Sequence, residues 1–436
     1  MYKFFLQSAA VAAILTFATS TYAETLLEVY QQALQNDHQY RAAEAAYKSG
    51  KLDKAISRSG LLPQVSAQAT WRDTLRSEPW ETAETRVSAT LTQRIFNLAA
   101  WYNFKIGSIS AKTAAANFQS AKQELIIRTA QTYFDALEAI DNFETAKAEE
   151  NALKHQLEQT QKRFEVGLTA ITEVHESQAV YDSSVADRLL SEGQMHISFE
   201  ALEVITGRPY DQLSPLKEQF PIAPPEPIER KSWVEFALKN NLSLLNTSLL
   251  AESAEQRVKE KSSAYAPTLG GSLSTSSRNE RNGVKINEST VGLTFDLPIF
   301  TGGNTTAAYR KEKQNAIQAR ENYLFERRNT VQRARTLHLT ALTNVATVKA
   351  RMQAITSNQS ALDATQAGYD VGTRDLVDVL NAQRNLFRAR RDYLNTLYTY
   401  VIDNLRLKQV AGILTSKDVE SLDSWLDKNK KISRNN

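Results

Sequence analysis

Two hydrophobic periods alternate along this chain. Val87, Ala89, Leu91, Gln93 and Ile95 interleave with Ser88, Thr90, Thr92 and Arg94. Further on, Val291, Leu293, Phe295, Leu297 and Ile299 interleave with Gly292, Thr294 and Asp296. A two-residue period marks a strand with one apolar and one polar face. The segments before them, 65–74 and 269–277, alternate more weakly, with Val65, Ala67, Ala69 and Trp71 on one side. Turn-rich stretches at 76–84 and 278–288 separate the members of each pair. The pattern therefore predicts two β-hairpins, at about 63–97 and about 267–300. Their strands have the roughly 9–11 residues that a tilted strand needs to cross a bilayer.

Elsewhere the period lengthens. Leu125, Thr129, Thr132, Ala136, Ala139, Phe143, Ala146, Leu153, Leu157, Thr160 and Phe164 follow heptad spacing, with Glu150 as an interruption. Val379, Ala382, Leu386, Ala389, Tyr393, Thr396 and Tyr400 alternate steps of three and four. Both read as coiled-coil seams rich in small residues. An unbroken helix over 101–165 would be about 100 Å long at 1.5 Å per residue, a rod that no compact domain needs.

The two patterns occur twice. Ala33-Leu34-Gln35-Asn36 matches Ala237-Leu238-Lys239-Asn240, Leu62-Pro63 matches Ala266-Pro267, and Ile95-Phe96 matches Ile299-Phe300. With one residue inserted, Arg163-Phe164-Glu165-Val166-Gly167 matches Gly368-Tyr369-Asp370-Val371-Gly372, and Thr206-Gly207 matches Ala411-Gly412. A repeat this long indicates duplicated modules rather than a solenoid of short units. Proline is absent between Pro79 and Pro209 and again after Pro298, and it clusters at 209–227 around Pro224-Pro225. The expected organisation is a first repeat at 24–207, a proline-rich linker at 208–230, a second repeat at 231–412 and a C-terminal segment at 413–436. Each repeat should hold a helix, a β-hairpin and a long helical hairpin, with tips at about 166–169 and about 371–374. The polar end, 428–436, is expected to fray.

Composition narrows the compartment and the chemistry. Lys3, an apolar run at 9–17 and Thr21-Tyr22-Ala23 read as a secretory signal peptide over 1–23. No later window approaches the roughly 18 apolar residues of a membrane helix, so a membrane crossing would have to be a β-barrel. The chain has no cysteine, which excludes disulfides, thiolate metal sites and a lipidated N-terminal cysteine. A dispersed net charge of +3 gives no nucleic-acid footprint. His38, His155, His175, His196 and His338 show no ligand spacing and read as exposed helix residues. No nucleophile–base pair, metal spacing or phosphate loop points to an enzyme or to a cofactor.

Four strands cannot close a barrel, since small closed barrels use about eight, and open edges are prohibited in lipid. Chains must combine; two copies would give eight strands and three would give twelve, and spacing alone leaves both open. The attached helices would then continue the barrel as a tube.

The duplicated layout resembles the TolC family of outer-membrane efflux proteins over essentially the whole chain beyond residue 23. The nearest local likeness is Ala367-Gly368-Tyr369-Asp370-Val371-Gly372-Thr373-Arg374 with Leu376-Val377-Asp378-Val379-Leu380-Asn381-Ala382. The run Phe164-Glu165-Val166-Gly167-Leu168-Thr169-Ala170-Ile171-Thr172-Glu173-Val174 is similar. The resemblance implies a mixed α and β homotrimer, with a twelve-stranded transmembrane β-barrel continued by a long periplasmic α-helical coiled-coil barrel. It implies a passive gated exit duct in the outer membrane of a Gram-negative cell, serving tripartite efflux or type I secretion. Implied partners are a periplasmic adaptor (membrane fusion) protein, an inner-membrane transporter of RND, ABC or MFS type, and outer-membrane lipid. The absent cysteine resembles the non-lipidated branch.

Site residues follow from the same resemblance. Asp378 would contribute to a carboxylate ring at the periplasmic entrance, where the family's second acid is here Asn381. Tyr369 and Arg374 would latch the gate against Thr172 and Glu173, the latter longer than the family's usual aspartate. Val166, Gly167 and Leu168, with Val371, Gly372 and Thr373, would form helical tips that dock the adaptor. Trp71 and Trp80 could sit in an interfacial aromatic belt. The competing expectation is a periplasmic structural coiled-coil assembly protein that never enters lipid.

Overall fold

The computed structural model describes residues 23–74, 82–280, 284–430 and 432–434. Nearly all of the expected signal segment, and Trp80, lie outside the described residues. In chain order the elements are α1 (Leu26–Asn36), α2 (His38–Lys51), α3 (Asp53–Ser59), β1 (Gln64–Thr74), β2 (Thr82–Phe96), α4 (Leu98–Glu165) and α5 (Ile171–Thr206). A short β3 (Gln212–Leu213) precedes α6 (Arg230–Asn240), α7 (Leu242–Ser262), β4 (Thr268–Glu280), β5 (Lys285–Asp296), α8 (Asn304–Asp370) and α9 (Leu376–Val410). The chain closes with α10 (Ser416–Asp423) and β6 (Ile432–Ser433).

The segment before each hairpin was expected as one helix, and it is broken at Asp37, and again at Leu52, in the first copy and at Asn241 in the second. Asp37 and Asn241 adopt nearly the same extended conformation, with φ and ψ of −65° and 114° against −63° and 124°. Each side chain accepts an amide three residues on, from Tyr40 at 2.5 Å and from Leu244 at 2.9 Å. A short acceptor side chain competes with the helical ladder, so it ends one helix and caps the next.

The main sheet is antiparallel throughout, in the order β1-β2-β4-β5. Register sorts its faces. Val65, Leu91, Leu273 and Val291 form one cross-strand row, and all four are exposed. On the other face Ser66, Thr90, Ser274 and Thr290 form one row, and Gln68, Ser88, Ser276 and Glu288 the next. All of these except Ser66, together with Thr70, Arg72, Glu84 and Arg86, line a polar trough of about 500 Å³. β1 and β5 are the two edges, each with one neighbour.

The two long helices run 68 and 67 residues, each about 100 Å at 1.5 Å per residue. Toward the sheet, α4 packs on α2, α3 and α7; beyond, it packs on α5 and α9. α8 is flanked by α6, α7 and α9. The main core joins Leu125, Tyr133, Phe134, Leu137 and Ile140 of α4 to Phe199 and Leu202 of α5 and to Val401 and Leu405 of α9. The α4 seam is buried from Leu125 to Thr160 apart from half-buried Thr132, whereas Phe164 at its end is exposed. Among the described residues no helix is long and apolar enough to cross a membrane.

The stretch 208–230 crosses the helices as a strap. Tyr133 donates to the carbonyls of Ser214 at 2.8 Å and Glu24 at 3.1 Å, and Tyr400 donates to that of Ala223 at 2.8 Å. The C-terminal end is expected to fray, yet its described residues 432–434 are held. β6 pairs antiparallel with β3, and the Arg434 guanidinium reaches Glu200 at 2.9 Å. The strap leaves backbone groups on β3 that only a distant segment can satisfy. His338 also departs from its expected exposure: it is buried, with Nε2 hydrogen-bonded to the Ile228 carbonyl at 2.8 Å. His196 is half-buried and accepts from Arg434.

Candidate functional site: the helical tips

Both long helices end in the same turn. In the first, the Leu168 amide donates to the Arg163 carbonyl at 2.8 Å and the Gly167 amide to that of Phe164 at 2.9 Å. In the second, Thr373 donates to Gly368 at 2.9 Å and Gly372 to Tyr369 at 3.0 Å. These paired bonds make a Schellman motif, which needs a left-handed residue. Gly167 and Gly372 supply it, with φ of +75° and +81°. A Cβ at either would meet nothing within 4 Å, so the dihedral and not crowding selects glycine. The turns leave Val166, Leu168 and Val371 about 70% exposed, at 69%, 70% and 75%.

After the second turn Asp375 caps α9, accepting the Asp378 amide at 2.9 Å. The cap places the Asp378 carboxylate in the first turn of α9, where the helix dipole favours it. Asn381 follows one turn later on a neighbouring part of the same face and is exposed.

Tyr369 is the buried member of the group, at 4% exposure. It packs with Leu153 of α4 and with Leu376, Val379 and Leu380 of α9; Val180 of α5 and Leu362 of α8 lie against the cluster. Its hydroxyl donates to Glu173 Oε2 at 3.1 Å. The Arg163 guanidinium stands over its ring, 4.7 Å from the centre. Burial, with the Glu173 carboxylate beside it, holds the phenol above its ordinary value. Tyr369 and Glu173 are therefore brought together across the two hairpins.

Arg374 is placed elsewhere. It pairs with Asp378 of its own chain at 3.3 Å, one turn along α9, with both side chains largely in water. Thr172 is exposed, and among the described residues the side-chain partner of Arg374 is Asp378. The Thr373 hydroxyl donates to the Gly368 carbonyl at 3.0 Å, reinforcing the turn. The sequence marks Leu153 as a seam position and Arg163 as part of the repeat, but neither as a site residue. A basic residue in a last helical turn reads as an ordinary complement to the helix dipole; only its contact with an aromatic 206 positions away distinguishes it. Among the described residues no group of histidine, aspartate and glutamate could hold a metal ion.

Comparison with known proteins gives one consistent result. The family profile described as outer membrane efflux protein matches twice, at residues 29–208 and 233–413. The chain is 33% identical to the outer membrane protein TolC of Vibrio cholerae, over 96% of this chain and 98% of that one. It is 33% identical to TolC of Escherichia coli, over 94% of this chain and 87% of that one. The crystal structure of the Campylobacter jejuni CmeC outer membrane channel superposes with a TM-score of 0.78 at 19% identity, covering 93% of this chain and 90% of that one. With two profile matches in tandem and relatives aligned almost end to end, this chain, an outer-membrane exit channel, belongs to the outer membrane efflux protein family.

Proposed function

We propose that three copies of this chain assemble into one gated duct. Their sheets close a twelve-stranded barrel in the outer membrane, and their helices form one tube reaching into the periplasm. The observation that carries the reading is the sheet. One face is an exposed apolar band, the other a polar trough, and among the described residues β1 and β5 each lack a second neighbour. The antiparallel order lets β5 of one protomer pair with β1 of the next, which removes every edge. The tube would receive substrate from an inner-membrane transporter of RND, ABC or MFS type through a periplasmic adaptor, in efflux or in type I secretion. Val166, Gly167 and Leu168, with Val371, Gly372 and Thr373, form the docking tips. Their exposed apolar side chains suit a helical partner.

At the entrance, Tyr369 and Glu173 latch the two hairpins of a protomer. Arg374 pairs with Asp378 of its own tip, so its link to Thr172 crosses between protomers and competes with Asp378. The three Asp378 carboxylates form the selective ring, weakened where Asn381 replaces the second acid. Crosslinking in intact cells tests the assembly: a trimer that cofractionates with outer membrane and captures an adaptor is expected. A monomer recovered in soluble periplasm would overturn it.

A further inference from the structure

We propose that Arg163 is a positioning residue that couples the first helical tip to the latch at Tyr369, so that a load on the tip is felt at the entrance. The proposal rests on the latch reading above. Arg163 has two attachments. Its carbonyl accepts the Leu168 amide at 2.8 Å and so closes the turn that presents Val166 and Leu168. Its guanidinium covers the Tyr369 ring at 4.7 Å. One residue thus belongs to the docking turn through its backbone and to the latch through its side chain.

The side chain is held by the ring. Arg163 Nε is buried and has no hydrogen-bond partner among the described residues. A buried guanidinium nitrogen without a partner is costly, and an aromatic face returns part of that cost through its quadrupole. Tyr369 is then gripped from both arms of the first hairpin, by Arg163 at the end of α4 and by Glu173 at the start of α5. Disturbing the turn moves the cation that covers the ring.

The internal repeat argues the same way. Arg163 aligns with Gly368, and the Gly368 carbonyl performs the same turn closure, accepting Thr373 at 2.9 Å. A Cβ on Gly368 would stand 2.8 Å from Arg374 Cγ, so the second tip gives up the side chain to make room for Arg374. The coupling is therefore one-sided. The first tip senses, and the second carries the residues that are released.

The test is a cycle of single-channel recordings on the full-length protein in planar bilayers, using Arg163→Gln, Tyr369→Leu and the double variant. Loss of a cation–π contact predicts about a two- to five-fold shift toward the open state per protomer for Arg163→Gln. In the Tyr369→Leu background the same change should add nothing, and Arg163→Lys should keep most of the closed population. Amide hydrogen exchange at Gly167 and Leu168 should stay as in the parent, because their backbone bonds to Phe164 and to residue 163 survive; a merely structural role would loosen them. Gly167→Ala should raise opening in the parent and not with Arg163→Gln. If Tyr369→Leu opens the channel and Arg163→Gln does not, or if their effects add, the coupling is wrong while the latch stands. If Tyr369→Leu leaves conductance unchanged, the latch reading itself falls, and the coupling with it.

Discussion

The Tyr398 hydroxyl donates a hydrogen bond to the Asp141 carboxylate and so ties α9 to α4 midway along the helical rod. Burial pushes Asp141 up to about 6, against the pull of that hydrogen bond and of Lys430. Burial and the adjacent carboxylate hold Tyr398 well above its ordinary range. An acid raised in the folded state keeps its proton where the unfolded chain has lost it. Its stabilisation is therefore full at low pH and is lost as pH rises from about 4 to about 6. Keeping that proton is worth about 3 kcal/mol at most. Asp135 and Glu138 are raised as well, chiefly by burial, so they add to the same slope.

Asp141→Asn keeps the acceptor for Tyr398 and removes the titration. The melting temperature of detergent-solubilised protein should fall between pH 4.5 and 6.5 in the parent and fall less in the variant. Equal slopes would show that Asp141 does not carry the effect.

If Tyr369 and Arg374 form the latch proposed above, they should not contribute equally. A hydrogen bond to a charged acceptor is worth about 1.5–3 kcal/mol, and an exposed ion pair about 0.2–1 kcal/mol. Tyr369 is buried on Glu173, whereas Arg374 is in water beside Asp378. In the proposed trimer, three phenol links together would reach the roughly 5.5 kcal/mol that moves a gate from mostly closed to mostly open. Tyr369→Phe should raise single-channel conductance more than Arg374→Ser does, and the pair together should raise it most. A larger effect from Arg374→Ser would mean that the stronger link lies between protomers.

If Asp378 forms the entrance ring proposed above, selectivity there should depend on it. In the proposed trimer, three copies around a narrow opening would focus a negative potential, with Arg374 beside each Asp378 as a partial counter-charge. Asp378→Ala should weaken block by trivalent cations added from the periplasmic side. Asn381→Asp should strengthen it by completing a second ring. An unaltered block in Asp378→Ala would place the ring on other residues.

What the sequence made legible is what short-range pattern encodes. Strand parity from Val87 to Ile95 gives the apolar face directly, because side chains alternate along a strand. The α4 seam is equally direct, since heptad spacing fixes one buried stripe. The turns at Gly167 and Gly372 follow from glycine ending a helix. What stayed hidden depends on partners far along the chain. Nothing near Ile432 indicates that it pairs with Leu213, and nothing near His338 indicates the Ile228 carbonyl that buries it. Arg163 and Arg374 are both basic residues at helix ends, yet one lies on a ring and the other in water. The breaks at Asp37 and Asn241 lie between: both are capping residues at equivalent repeat positions, and their signal was available once the repeats were aligned.

The sheet makes the sharpest demand on the membrane reading, because adjacent residues on β5 face opposite media. Val291 stands 80% exposed in the apolar row, while Thr290 lines the polar trough. If the apolar band faces lipid, an arginine at 291 costs about 2–4 kcal/mol near the bilayer midplane. At 290 the same arginine projects into water and costs little. Val291→Arg should therefore reduce the heat-sensitive oligomer recovered from outer membrane. Thr290→Arg should assemble normally and shift ion selectivity toward anions. The comparison isolates the facing of the sheet from any general effect of charge, since the two sites share a strand, a loop and nearly the same depth. The opposite ranking would invert the faces, and with them the argument that β1 and β5 close a barrel around water.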